Sequence, residues 1–287
     1  MRDVIEKADI LIEALPYIRS FRDKIIVVKY GGSTIGDEGS VLVDVVFMET
    51  VGMKPVIVHG GGKLISRRME ESGIETKFVN GLRVTDGRTM KIVESTLIGE
   101  VNRDIVRTIE RLGGKALGIS AKERGVLRVR KHLEPVGGDV VDIGYVGDVE
   151  SVDPEPILEI CRSGAIPVVA PVGLGPDGKS YNVNADTAAG HIAAALKAEK
   201  LVFLTDVIGV LEDPLDEGTL ISTVRVSEVD ELIERGIISG GMIPKMRACL
   251  MAVSSGVRKT HIISGKIRHS LLLEIFTDRG VGTQIVV

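Results

Sequence analysis

The chain has 287 residues, 44% hydrophobic and 26% charged, with 36 Lys and Arg against 40 Asp and Glu for a formal net charge of −4. That length allows two domains or lobes around a sizeable core, and the acidic balance excludes the broad positive field with which nucleic-acid binders gather phosphates. No apolar run approaches the roughly 20 residues of a membrane span, and Arg2, Asp3, Glu6, Lys7, Asp9 and Glu13 spoil a signal-peptide reading, so a cytoplasmic location is expected.

Residues 1–20 open the chain with an amphipathic helix: Val4, Ala8, Leu11, Leu15 and Ile18 follow helical spacing, Ile5 and Ile12 widen the stripe, and Pro16 is expected to kink it. Such a helix either lies on its own domain or is exchanged with a neighbouring subunit. Beyond it, short Val- and Ile-rich runs alternate with stretches of helical period, the pattern of parallel strands covered on both faces by helices. Strands are predicted at 25–30, 55–59, 116–120, 166–172, 200–207 and 259–263. A long helix is predicted from the caps Thr85 and Asp86 to the stop at Gly113, and a second from Asp153 and Pro154 to Gly164. The segment 126–152, with Gly137, Gly138, Gly144 and Gly147, reads as an antiparallel hairpin or flap. Cys161 and Cys249 fall in helical segments without CxxC or metal-finger spacing, so buried free thiols are expected.

Glycine is abundant, at 34 residues, while tryptophan is absent. Two predicted strands run directly into glycines, at Gly31-Gly32-Ser33 and at Gly60-Gly61-Gly62, each followed by a helical segment. Such a turn either closes tightly or turns backbone N–H groups toward an anion beside a helix N-terminus; two in succession favour binding. Neither matches a dinucleotide fingerprint or a Walker A loop, so nicotinamide and P-loop chemistry lose ground. Lys29 sits near the end of an apolar strand, where its ammonium group either meets an anion or snorkels to water. Asn182, Asn184 and Asp186 alternate ahead of an alanine-rich helix, and either cap it or present polar groups to one side. Gly240-Gly241-Met242-Ile243-Pro244-Lys245 is a third glycine turn that carries a lysine, and Arg83 reads as a carboxylate clamp or as a surface ion pair.

The ordered set KYGGS (29–33), VHGGG (58–62), NGLRVT (80–85), GYVGDV (144–149), YNVNAD (181–186), LTDVIGVL (204–211) and GGMIPK (240–245) resembles the N-acetyl-L-glutamate kinases, a branch of the amino acid kinase family, nearly end to end. The resemblance implies a three-layer αβα sandwich with a mainly parallel central sheet and two lobes. Residues 1–20 would be an oligomerisation helix, 21–179 an N-lobe for the amino-acid substrate, and 180–287 a C-lobe for ATP and a regulatory arginine site. It implies transfer of the γ-phosphoryl of MgATP to the side-chain carboxylate of N-acetyl-L-glutamate, in arginine biosynthesis. Gly61, Gly62, Arg83, Asn182 and Asn184 would bind the amino acid. Lys29 and Lys245 would flank the phosphoryl group, with Asp186 holding both ammonium groups. Gly31 and Gly32 would offer N–H donors to phosphates, while Asp206 to Leu211, with Gly209 among them, and Ile238 and Ser239 would line the nucleotide site. No protein metal ligands are expected, Mg²⁺ being bound mainly through ATP phosphates.

The first helix, with Ala14-Leu15-Pro16-Tyr17, and the run 261–282 further resemble the arginine-inhibited hexameric members, although Ser264 stands where those usually carry Asn or Asp. This implies a homo-oligomer, a hexamer built as a trimer of dimers, with L-arginine as feedback inhibitor at Tyr17, Lys200, Glu274 and Gly280. A sibling kinase for carrier-protein-linked aminoadipate or glutamate shares part of the motif set, and a non-catalytic amino-acid sensor on the same fold is a more distant reading.

Overall fold

A computed structural model of the chain describes residues 2–31, 40–277 and 280–287. In the first half, helix α1 (Arg2–Phe21) leads into strand β1 (Ile25–Tyr30), followed by α2 (Ser40–Thr50), β2 (Lys54–His59) and α3 (Gly62–Glu71). A short hairpin, β3 (Phe78–Val79) and β4 (Leu82–Arg83), turns at Asn80 and Gly81, both at positive φ, 46° and 83°. Asn-Gly is the pair that tolerates two left-handed residues in succession. The expected helix from Asp86 to Gly113 is one continuous rod, but it changes winding. Its parts are α4 (Gly87–Glu94), a π-helical segment at Ser95–Asn102 and α5 (Arg103–Arg111). Asp86 caps it by accepting from Thr89 N–H at 2.7 Å.

β5 (Ala116–Ser120) precedes the predicted flap, an antiparallel pair made of β6 (Leu127–Val136) and β7 (Asp139–Val152). Then come α6 (Glu155–Arg162), β8 (Ile166–Ala170), β9 (Val172–Leu174), β10 (Ser180–Asn182) and α7 (Ala185–Ala195). The strand expected at 166–172 therefore divides at Pro171, which has no N–H to donate to a ladder, and the chain leaves one sheet for another. The rest of the chain forms β11 (Lys200–Thr205), β12 (Thr223–Arg225), α8 (Val229–Glu234), α9 (Met242–Ser254), β13 (Lys259–Ser264), α10 (Ser270–Phe276) and β14 (Thr283–Val286). β11 stops two residues short of expectation because the Thr205 hydroxyl closes a local turn with the N–H and carbonyl of Val207.

The main sheet runs β12-β14-β13-β11-β1-β2-β8-β5, parallel except where β13 meets β14. Alternation along each strand splits the core between its two faces. Val27, Val56 and Val58 face α6, α7 and α9, whereas Ile26, Val28 and Ile57 face α2, α5 and α10. These side chains are fully buried, each contributing about 1.5–3 kcal/mol. The three-layer sandwich follows. β6, β7, β9 and β10 close a small separate barrel against it. Gly144 couples that barrel to the Arg83 segment: it sits at φ +89°, and a Cβ there would fall 2.1 Å from the Thr85 carbonyl oxygen. Strand order reverses about β1, between β2 and β11, and in open α/β sheets such a switch point makes a crevice at the carboxyl ends of the strands.

The last turns of α1 pack on the rest of the chain, where Phe21 joins the core and Tyr17 meets the Phe276 ring edge-on at 6.2 Å. Ile5, Ile10, Leu11, Ile12 and Leu15 are exposed. The apolar stripe thus finds no cover on its own subunit among the described residues, and the reading in which the helix lies on its own domain fails for this part. Among the described residues no helix is long and apolar enough to cross a membrane. Cys249 is buried and Cys161 half-buried, both unpaired, with burial raising their thiol pKa to about 12 and about 11.

Candidate active site

The crevice beyond β1 and β2 is a cleft of about 220 Å³. The chain reaches it through two glycine turns that nearly touch: Gly60 N–H donates to the Tyr30 carbonyl at 2.8 Å, and a Cβ on Gly31 would lie 3.2 Å from Gly60 N. Gly61 is equally confined, since a Cβ there would stand 2.6 Å from Leu97 of the π-helical segment. Gly32 and Ser33 lie outside the described residues.

Lys29 enters the cleft from β1, where it pairs in register with Val58 and Phe203. Its Nζ is 2.8 Å from Oδ1 of Asp186, and Lys245 Nζ, from α9, is 2.8 Å from Oδ2 of the same carboxylate. The three side chains are 12%, 12% and 13% exposed, open enough to be reached and covered enough for their charges to act through a low dielectric. Burial pushes the Asp186 carboxyl pKa up, but the two ammonium groups outweigh it and hold it below the usual carboxylate range. The side-chain oxygen Oδ1 of Asn184 caps α7, accepting from the N–H groups of Asp186 at 2.9 Å and Thr187 at 3.1 Å. Capping therefore falls to Asn184 and leaves the Asp186 side chain to the lysines, which settles two sequence alternatives.

Arg83 is buried on the opposite wall. Its guanidinium donates to the Gly62 carbonyl and the Ser66 hydroxyl, each at 2.9 Å, approaches the Met69 sulfur at 3.2 Å and lies over the Phe78 ring at 4.8 Å. No carboxylate neutralises it among the described residues, and burial pulls its pKa down. A guanidinium still ionised at neutral pH, desolvated and without a counter-ion, is a receptor for an anion. The surface ion-pair alternative is thereby excluded. Asn182 completes the lining with Gly61, Gly62 and Asn184, its amide donating to Thr85 at 3.3 Å.

The residues expected at the nucleotide follow the same sheet edge without joining that lining. Asp206 is exposed just after β11, and Leu211 bridges to Leu220. Gly209 packs so closely that a Cβ would fall 2.6 Å from the Thr283 hydroxyl. Ile238 is buried in the core, so only its main chain can meet a ligand, whereas Ser239 is exposed ahead of α9.

Of the four residues expected at a regulatory site, three cluster elsewhere. Glu274 Oε1 is 3.9 Å from Lys200 Nζ, and a Cβ on Gly280 would lie 2.7 Å from Glu274 Oε2. Lys200 sits over Phe21 at 5.2 Å, one turn of α1 beyond Tyr17. His261, overlooked in the sequence as a site residue, is 2.7 Å from Glu274 Oε1. Desolvation lowers the Lys200 and His261 pKa values. The Glu274 carboxyl is raised by burial but lowered further by His261, the Val281 N–H and Lys200, ending below its ordinary range.

Sequence reasoning also missed His59 and Asn102 beneath the Gly60–Gly62 turn, whose ring and amide lie 3.1 Å apart. The signal for His59 was its place immediately ahead of three glycines. Asn102, 43 residues away, gave none.

The family profile described as "Amino acid kinase family" matches residues 24–264. The acetylglutamate kinase of Pelotomaculum thermopropionicum is 53% identical over 288 residues, covering 98% of each chain. Among solved structures, N-acetylglutamate synthase from Neisseria gonorrhoeae complexed with coenzyme A and N-acetyl-glutamate superposes with a TM-score of 0.84 at 26% identity. The match covers 98% of this chain and 63% of that one. The same synthase complexed with coenzyme A and L-arginine gives 0.78 at 25% identity, over 96% and 64%.

Proposed function

The chain belongs to the amino acid kinase family, and we propose that it transfers the γ-phosphoryl group of ATP to the side-chain carboxylate of N-acetyl-L-glutamate, as an acetylglutamate kinase of arginine biosynthesis. The observation that carries the reading is a surplus of cations at one cleft: Lys29 and Arg83 line it, Lys245 joins them through Asp186, and among the described lining residues Asp186 alone is a carboxylate. A side-chain carboxyl with a pKa of about 4.3 is already ionised at neutral pH, so the nucleophile needs no general base. The difficulty is repulsion between that carboxylate and the phosphates, and fixed cations and main-chain N–H groups answer it.

In this reading Arg83 clamps the α-carboxylate from its wall, beside Asn182, Asn184, Gly61 and Gly62. Lys29 and Lys245 flank the phosphoryl group in flight, and Asp186 holds the two ammonium groups apart at fixed positions. The Gly31 turn and the N-terminus of α3 offer further N–H donors. The nucleotide extends along Asp206–Leu211 and the main chain at Ile238 and Ser239. Mg²⁺ would arrive mainly on ATP oxygens, where it offsets phosphate charge. Release of ADP that requires N-acetyl-L-glutamate, with hydroxylamine trapping one hydroxamate per ADP, supports the activity. ATP turnover that ignores the acid, or that proceeds without hydroxamate, overturns it.

We further propose that the exposed stripe of α1 pairs with the same helix of a second copy, joining dimers into a hexamer, and that the Lys200–Glu274 cluster binds L-arginine as inhibitor. The first part is supported by the uncovered Ile5, Ile10, Leu11, Ile12 and Leu15. The second is supported by a carboxylate buried beneath the end of the same helix. Deleting residues 1–20 should lower the mass on size exclusion to that of a dimer, and an unchanged mass would defeat the pairing. Loss of activity in millimolar arginine tests the inhibitor, and insensitivity defeats it. A cytoplasmic location goes with this biosynthetic role.

A further inference from the structure

β2 ends in His59, whose side chain is fully buried beneath the Gly60–Gly62 turn. Its Nδ1 lies 2.9 Å from the Gly60 carbonyl oxygen and its Nε2 lies 3.1 Å from the side-chain nitrogen of Asn102. A carbonyl oxygen only accepts and an amide nitrogen only donates. Both contacts are therefore made together by one tautomer, with the proton on Nδ1 and the lone pair on Nε2. The other amide hydrogen of Asn102 goes to the Val168 carbonyl on β8 at 2.8 Å, so its NH₂ group is fully committed. Asn102 is also wedged in place: a Cβ at Gly118 on β5 would fall 1.9 Å from its side-chain oxygen.

The Gly60 carbonyl and the Gly61 N–H belong to one planar trans peptide and point in opposite directions. A donor that captures the carbonyl on the core side therefore fixes the N–H toward the cleft that Gly60 and Gly61 line. Glycine pairs rotate freely, and a peptide that can flip loses the advantage of a preorganised donor. Among the described residues the Gly61 N–H has no acceptor of its own. Leu97, held by the π-helical segment that ends at Asn102, presses on the same glycine. The changed winding thus places both constraints on one turn, as π segments at functional sites often do.

We propose that His59, held by Asn102, is a positioning residue for phosphoryl transfer, locking the Gly60–Gly61 peptide so that the Gly61 N–H stands as a fixed donor to the anions in the cleft. The inference rests on the kinase reading above. Burial keeps the imidazole neutral down to about pH 4, so its donor and acceptor sides do not exchange roles across the working range.

Two substitutions separate positioning from packing. His59→Phe keeps a ring and loses the donor, whereas His59→Asn keeps an N–H near the place of Nδ1. The Phe variant should lose about 10- to 100-fold in kcat, less than or equal to the loss of a whole oxyanion donor, with both KM values within about threefold of wild type. The Asn variant should recover to within about fivefold of wild type. An unchanged kcat in His59→Phe, or equal losses in both variants, overturns the proposal. Should neither variant fold, long-range ¹⁵N–¹H spectra of the wild-type protein decide: His59 protonated on Nδ1 supports it, and protonation on Nε2 ends it. A wild-type protein with no acid-dependent turnover would instead refute the activity, while the tautomer would still judge the geometry.

Discussion

The buried charge cluster around Asp186 and the one around Glu274 are built on opposite plans. Around Asp186, three cations face one carboxylate and the guanidinium of Arg83 has no acidic partner among the described residues. Around Glu274, one carboxylate is met by one ammonium group and an imidazole whose pKa is depressed, so the charges nearly balance. The first is an incomplete assembly that anions would complete. The second is closed on itself, and a guanidinium would have to share Glu274 with groups already there. Burial of charge alone does not mark a catalytic centre, but an imbalance of buried charge marks a site that binds the missing sign.

The lysines carry the largest expected effect. Lys29→Ala should lower kcat about 100-fold or more, the cost of one preorganised donor to transition-state charge. An unaltered kcat would place Lys29 with the closed kind of cluster. Arg83→Lys should raise the KM for N-acetylglutamate about 10-fold and leave that for ATP nearly constant, because an ammonium group cannot reproduce a planar fork. A shift confined to ATP would move Arg83 to the nucleotide. In the second cluster, Glu274→Gln should raise the arginine concentration for half-inhibition about 10-fold, the loss of one charge-assisted hydrogen bond, with a far smaller effect on kcat than Lys29→Ala.

Acid separates the regions less sharply. Asp186 and Glu274, with lowered folded pKa values, contribute stability that is present above their unfolded values near 4 and lost as pH falls through the folded ones. His59, lowered to about 4, acts earlier: it costs nothing above pH 6.5 and destabilises increasingly below it, by about 2 kcal/mol at pH 5. His132 on β6 opposes this: burial lowers its pKa, but the carboxylates of Glu134 and Asp148, 2.5 and 2.7 Å from its ring nitrogens, raise it by more, adding stability below pH 6.5 that disappears as pH rises through the folded value. Denaturant melts at pH 7 and pH 5 should show a shallower fall for His59→Asn than for wild type. Parallel falls would contradict the assignment of this slope to His59.

Much of the first cluster was legible in the sequence because its parts lie at strand ends, where glycines and a lysine after an apolar run are visible from the pattern alone. The sheet was legible for the same reason, in the Val and Ile runs of β1, β2 and β8. Side chains that meet only through tertiary contact were not. Asn184 and Asp186 have equivalent spacing, and only the geometry of α7 shows which caps and which binds lysines. Asn102 lies in a helix of ordinary periodicity, and nothing local tells that it reaches His59 or that the winding changes there. The Asn80-Gly81 turn carried a standard hairpin signal that went unused, and the break at Pro171 was implied by a missing N–H.

The central claim is that the cation surplus accelerates transfer and does more than hold substrates. It is tested most directly by comparing, in Lys245→Ala and the wild-type protein, the dissociation constants of ATP and N-acetylglutamate with the single-turnover rate of phosphoryl transfer. Dissociation constants within about threefold of wild type and a rate at least about 100-fold lower are expected. An unchanged rate, or a loss confined to binding, would contradict the claim.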